Sequence, residues 1–163
     1  MFIDEIKLTL ESGRGGDGCV SFRREKFVPR GGPDGGDGGD GGNVIFAADA
    51  RLSTLTDYRY RSRILAAGGA HGQGKGMTGA RGEDEIVRVP LGTVVRAESG
   101  EVIVDLVEDG QEHVFLRGGR GGRGNARFAT SRMQAPRRAD PGLSGQQAAV
   151  QLELKLLADI GLV

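Results

Sequence analysis

Gly31-Gly-Pro-Asp-Gly-Gly-Asp-Gly-Gly-Asp-Gly-Gly-Asn43 repeats every three residues. A flexible linker has no reason to hold a register, whereas three residues per turn is the period of polyproline II. The tract therefore reads as built structure. Two glycines in every three strip Cβ from two edges of such a helix, so several can lie side by side and exchange backbone hydrogen bonds, as collagen chains do. Collagen itself is excluded, because the 163 residues hold five prolines and no sustained Gly-X-Y run. Fixing each residue costs about 1–2 kcal/mol of backbone entropy, and glycine loses the most, so contacts between tracts must offset a large penalty.

Three further glycine-rich stretches, 13–18, 68–82 and 118–124, join 31–42, and the apolar residues fall between them. Residues 2–10 alternate, with Phe2, Ile6, Leu8 and Leu10 on one side, which is the period of a half-buried strand. Residues 19–24, 44–48, 86–89, 93–97, 102–107 and 113–117 are further strand candidates, with Glu108-Asp-Gly-Gln111 as a hairpin turn and Pro90-Leu-Gly92 as a break. Val150, Leu152, Leu154 and Leu156 alternate as a closing strand. No segment carries an apolar stripe at helical spacing over three turns, and 53–57 offers at most one capped turn. The expected class is all-β.

The formal net charge is zero, but charge is segregated. Seven arginines and no acid lie between Arg117 and Ala139, while Glu98 to Glu112 holds six acids and no base. Arginine outnumbers lysine eighteen to four, which reflects either genome base composition or the fit of a planar guanidinium to phosphates and bases. A lone Cys19 excludes an intrachain disulfide, and it reads as a small core residue on a strand. The start bears two acids where a signal peptide bears positive charge, and no apolar run approaches the roughly 20 residues of a membrane span. The expected location is the cytoplasm.

Asp34, Asp37 and Asp40 invite a calcium reading. Three residues of polyproline II advance about 9 Å, however, too far for ligands that must each lie about 2.3–2.6 Å from one ion. These acids are expected to be solvated or paired with arginines of a neighbouring glycine helix, and no metal site is assigned. Gly69-Ala-His-Gly-Gln-Gly-Lys75 approaches a phosphate-binding loop, but Gly76 stands where the magnesium-binding hydroxyl is needed. An autonomous GTPase built on that loop is thus disfavoured. His71 suits a polar contact to a partner, His113 a surface or packing position, and no catalytic constellation emerges. In Gly118-Gly-Arg-Gly-Gly-Arg-Gly124, Arg120 and Arg123 are expected to be structural, with basic residues at the loop tips, and arginine near Phe128, free to contact phosphates and unpaired bases.

Phe22-Arg-Arg-Glu-Lys-Phe-Val-Pro-Arg30 running into the repeat, Thr78-Gly-Ala-Arg-Gly-Glu-Asp84, Val89-Pro-Leu-Gly-Thr-Val94, Gly118 to Phe128 and Leu152 to Val163 together resemble the Obg family of bacterial GTPases over essentially the whole chain. The resemblance implies a small β-barrel or sandwich with projecting glycine-rich polyproline II helices over residues 1–157. Residues 158–163 then begin a GTPase domain that is otherwise absent, along with its phosphate-binding loop, switches and guanine-specificity motif. It implies a non-catalytic chain without cofactors, and an intact protein that hydrolyses GTP to GDP with Mg2+ and takes guanosine tetraphosphate as a possible further ligand. The implied role is large ribosomal subunit assembly and stress and growth control, with rRNA contacted near the peptidyl-transferase region. The matching basic positions are Arg23, Lys26, Arg30, Lys75, Arg81 and Arg137; Gln134 departs from relatives that carry a base there. The competing reading is a protein-interaction scaffold that binds stress-regulatory proteins or its own GTPase domain.

Overall fold

The computed structural model describes residues 2–25, 27 and 31–155. The backbone forms eight strands among these: β1 (Phe2–Glu11), β2 (Val44–Ala48), β3 (Arg63–Leu65), β4 (Glu85–Val89), β5 (Thr93–Ala97), β6 (Val102–Leu106), β7 (Glu112–Leu116) and β8 (Gln147–Lys155). They make a five-stranded sheet in the order β3-β1-β8-β5-β6 and a three-stranded sheet in the order β4-β2-β7. The architecture is all-β, with two sheets packed as a sandwich and not closed into a barrel.

The alternation of β1 drives Ile6, Leu8 and Leu10 into the core, where β8 meets them with Val150, Leu152 and Leu154 in antiparallel register. From the smaller sheet Val44, Phe46, Val87 and Val89 close the space, and Phe46 lies 5.6 Å from the Phe115 ring. The break at Pro90 to Gly92, with Gly92 at φ 88°, carries the chain from one sheet to the other. A turn forms at Glu108 to Gln111, with Gly110 at φ 80°, but it does not close the expected hairpin: β6 pairs with β5 and β7 with β2, so the turn carries the chain between the two sheets. The capped turn expected over 53–57 is displaced to a 3-10 turn at Thr56–Arg59, which Leu55 precedes without a side-chain cap.

The glycine-rich chain leaves the sandwich as three hairpins. β1 runs into 12–22 and 34–43 leads back to β2; β3 runs into 66–73 and 77–84 leads to β4; β7 runs into 117–124 and 139–146 leads to β8. Six extended segments thus stand side by side, where the glycine tracts alone suggested four. Their hydrogen bonds recur every third residue. The amides of Gly13, Gly16 and Cys19 donate to the carbonyls of Gly42, Gly39 and Gly36, and those of Gly36, Gly39 and Gly42 donate in turn to Gln73, Ala70 and Ala67, all at 2.8–3.0 Å. This is the pairing that packed polyproline II helices require. Residues 19–24 belong to it and not to a β-sheet: Cys19 N–H bonds Gly36, Arg23 N–H bonds Gly32, and an isolated bridge joins Phe22 to Pro33. Cys19 is accordingly half-buried in the bundle and not a core residue.

The acids of the repeat have a different task from the one expected. Asp37, Asp40 and Asn43 use their side-chain oxygens to accept the amides of Gly124, Gly121 and Gly118 at 2.8–2.9 Å, so a carboxylate or carboxamide every third residue laces two antiparallel glycine helices. Asp17 accepts Gly142 N–H, and Asp84 accepts Asn43 N–H, in the same way. Within the repeat, among the described residues, arginine pairing is added only at Asp37, to Arg127 at 2.6 Å. A buried amide without a partner is costly, and these short side chains supply acceptors where backbone carbonyls do not reach.

A pH dependence follows. The Gly142 amide and then Arg14 hold Asp17 below the usual carboxylate range, Arg127 and then Gly124 do so for Asp37, and the Asn43 amide does so for Asp84. In the turn after β2, Arg51 lowers Asp49 to about 2. Unfolded carboxylates take up protons near pH ~4, before the native ones do, so stability is fully present above that value and declines as pH falls through the native pKa values. Urea unfolding midpoints are expected to be flat from pH 7 to 5 and to drop steadily from pH 4 toward 2. Asp37→Asn, which retains an acceptor for Gly124, is expected to lower the midpoint at pH 7 and to shrink the acid-induced drop. An unchanged midpoint down to pH 2 counts against the carboxylate lacing.

Candidate nucleic-acid interface

The described residues at the three hairpin ends, Arg23 to Glu25 of the first, Gly74 and Lys75 of the second and Arg137 of the third, lie together at the end of the bundle away from the sheets. One buried side chain ties the first to the third. Asn125, the first residue after the Gly118 to Gly124 run, is fully buried; its Oδ1 accepts Ser21 and Gly35 N–H at 3.3 and 2.9 Å, and its Nδ2 donates to the carbonyls of Ser21 and Pro136 at 3.1 and 2.9 Å. The sequence reading passed over it. Its only signal was an amide residue at the exit of a tract otherwise made of glycine and arginine.

A cleft of about 630 Å3 opens at this end, lined by Val20, Ser21, Phe22, Arg23, Arg24, Glu25, Asp34, Gly74, Lys75 and Arg137. Arg23, Lys75 and Arg137 of the expected basic set are therefore brought together, from all three hairpins. Arg24 joins them. Arg23 bonds Glu25 at 2.8 Å, and that pairing, with the charge of Lys75 adding to it, holds Glu25 below its ordinary value. Among the described residues, Arg24, Lys75 and Arg137 have no carboxylate at salt-bridge distance; the Arg137 guanidinium lies over the Phe22 ring, 5.5 Å from its centroid. Lys75 sits at φ 62°, a left-handed backbone that a long side chain rarely adopts. Asp34 holds it there, accepting Lys75 N–H on Oδ2 and Gly76 N–H on its carbonyl.

Arg81 is not part of this cleft. It pairs with Asp84 at 2.8 Å and lines a separate groove along the shaft with Arg120, Arg123 and Arg127. Lys26 and Arg30 lie outside the described residues. The arginines near Phe128 are committed internally, since Arg123 and Arg138 flank its ring at 4.9 and 4.5 Å and both reach Asp140. Arg123 is thus structural as expected, whereas the Arg120 guanidinium has no side-chain partner among the described residues. His71 accepts the Asp17 amide on Nδ1 at 2.8 Å, a contact within the chain. The Gly69 to Lys75 stretch is an extended segment ending in the Gly74 to Met77 turn, with no helix after it. Among the described residues no three His, Cys, Asp or Glu side chains are grouped to hold a metal, and no helix is long and apolar enough to cross a membrane.

A β-sandwich that extends a laced bundle of glycine helices, ending in a basic cleft, defines a class of protein in which the sheets hold a rigid projection. The family model described as GTP1/OBG matches residues 3–156. The chain belongs to that family. It is 57% identical to the GTPase Obg of Magnetococcus marinus over 99% of its own length and 42% of that protein, and 56% identical to the GTPase Obg of Chlorobaculum parvum over 99% and 49%. The corresponding values for the GTPase Obg of Streptococcus thermophilus are 58%, 100% and 38%. The chain thus spans about half or less of the relatives it matches.

Proposed function

We propose that this domain is the rRNA-binding module of a GTPase that acts in large ribosomal subunit assembly and in growth and stress control, and that the basic end of the glycine bundle is its contact surface. The observation that carries the reading is the convergence of Arg23, Arg24, Lys75 and Arg137 on one cleft, three of them without a carboxylate partner among the described residues. Uncompensated cations at the end of a rigid rod suit a phosphate backbone that the rod can enter end-on. GTP and Mg2+ belong to the part of the longer protein outside residues 1–157, and the module acts in the cytoplasm, where ribosomes assemble.

Co-sedimentation of the 163-residue chain with purified large subunits, small subunits serving as control, tests this. Selective binding that weakens with salt is expected. Replacing Arg23, Lys26, Arg30, Lys75, Arg81 and Arg137 together with glutamine is expected to abolish it. Single replacements at the cleft are expected to reduce the slope of log affinity against log salt by ~0.7–0.9 for each phosphate no longer neutralised. Undiminished binding by the folded sixfold variant defeats the site assignment. No binding by the native chain gives preference to a scaffold for regulatory proteins or for the GTPase domain.

A further inference from the structure

We infer that the cleft at the bundle end holds one unpaired nucleotide, its base against Arg137 and Phe22 and its phosphate between Arg23, Arg24 and Lys75. The inference rests on the RNA-binding reading and specifies what the site recognises. Three observations distinguish it from a surface that merely attracts phosphate.

The Arg137–Phe22 stack is a planar, polarisable wall of the kind on which unpaired bases lie, and it differs from the Phe128 cluster in being uncommitted. Asp140 neutralises the arginines over Phe128, whereas no carboxylate reaches Arg137 among the described residues. The cleft is open on one side, and its volume of about 630 Å3 falls within the range of about 300–1,000 Å3 usual for small-molecule sites, so it has room for one nucleotide. The wall is also not purely cationic. Glu25 and Asp34 line it, and Asp34 Oδ1 is buried without a hydrogen-bond partner among the described residues. A bare phosphate gains nothing from those carboxylates, but a nucleotide brings donors, an exocyclic amine or a ribose hydroxyl, that suit them. The left-handed Lys75, fixed by its own N–H and that of Gly76, both bonded to Asp34, then has a purpose: the surrounding structure holds an unfavourable backbone in place at a loop end, the usual setting for a binding role.

The test uses the full chain and single-stranded RNA hexamers of mixed sequence that carry 2-aminopurine or an abasic ribose at the third position. The native chain is expected to bind the base-containing hexamer roughly tenfold more tightly than the abasic one, and to change the 2-aminopurine fluorescence on binding. Arg137→Lys, which keeps the charge and removes the plane, is expected to erase that preference while leaving the salt dependence unchanged. Phe22→Leu serves as a second variant, with circular dichroism verifying the fold of both. Adenosine monophosphate competing as strongly as the hexamer assigns the cleft to free nucleotides; weaker competition assigns it to an RNA chain; either keeps a base in the cleft. Equal binding of the two hexamers by the native chain, or a preference retained by Arg137→Lys, overturns the inference. Large-subunit binding that survives such a result leaves the RNA-binding reading standing, whereas loss of both overturns the two together.

Discussion

Replacing Gly38 with alanine is expected to unfold the glycine bundle. A Cβ at that position would lie 1.9 Å from the Gly16 carbonyl oxygen and 2.2 Å from its carbon, both backbone atoms. Neither segment can retreat, because Gly16 N–H is bonded to Gly39 at 2.8 Å and Gly38 N–H to Gly122 at 2.8 Å. Ordinary overpacking of a core costs about 1–3 kcal/mol because side chains can shift rotamer. Here no rotamer is available, so the loss is expected to exceed ~3 kcal/mol, a drop in Tm of roughly 10 °C or more for a chain of this size. Gly32→Ala is the control, since among the described residues a methyl there meets nothing within 4 Å, and its Tm is expected to stay within a few degrees of native or to rise. A Gly38→Ala protein melting with the native one would refute the close-packed bundle.

Asn125→Ala is expected to give the second large effect, on both stability and binding. The substitution strands the amides of Ser21 and Gly35 and the carbonyl of Pro136, and leaves the Ser21 carbonyl with the Asp34 N–H alone, groups drawn from both arms of the first hairpin and from the end of the third. Each fully buried unsatisfied group costs about 1–3 kcal/mol; with partial access to water and mutual relaxation the total is expected at about 2–4 kcal/mol. Asn125→Asp tests the chemistry separately. It keeps an acceptor but turns a carboxylate oxygen toward two carbonyls, so it is expected to be no better than alanine. Hydrogen exchange at the Gly35 and Ser21 amides should accelerate more than at Gly41 near the sheets. Affinity for large subunits should fall although Asn125, at 0% exposure, can touch no ligand. Normal exchange at Gly35 in the alanine variant would show that the ends are held by something else.

Period was what made the fold legible. Alternation at every second residue located β1 and β8, and the three-residue repeat announced the bundle, because both report which side of an extended backbone must be small or apolar. β3 escaped notice because Arg63-Ile-Leu65 is too short to show a period and has an exposed residue on either side of one buried isoleucine. Residues 19–24 misled for a related reason: an extended segment looks alike whether its amides meet a strand or a glycine helix, and only the partner decides. Segment 139–146 contains just Gly142 and Gly145, so its membership of the bundle rests on bonds to Arg120, Arg123 and Gly15 that no local pattern reveals.

The candidate site was legible as chemistry and not as geometry. Unbalanced cations at loop ends were plain in Arg23, Lys75 and Arg137, but 52 and 62 residues separate them in turn, and only the lacing of the hairpins brings them to one cleft. Arg81 looked equivalent until Asp84, three residues on, proved to hold it. The acids of the repeat looked like partners for arginine because charge suggests charge. The shortage that decides their role is instead one of acceptors for glycine amides, which a sequence does not display.

The bundle also differs from the sandwich in how its folding responds to heat. Apolar surface exposed on unfolding raises the heat capacity by about 0.45 cal/K/mol per Å2, and polar surface lowers it by about 0.26. Leu8, Phe46, Val95 and Leu152 place the first kind of surface in the sheets, while the glycine segments bury amides and almost nothing else. Unfolding of the projection therefore contributes little heat-capacity change, and its free energy varies more nearly linearly with temperature than that of the sandwich, without the strong curvature that weakens an oily core in the cold. On the RNA-binding reading proposed above, the contacting end is thereby built from the part of the molecule least sensitive to chilling.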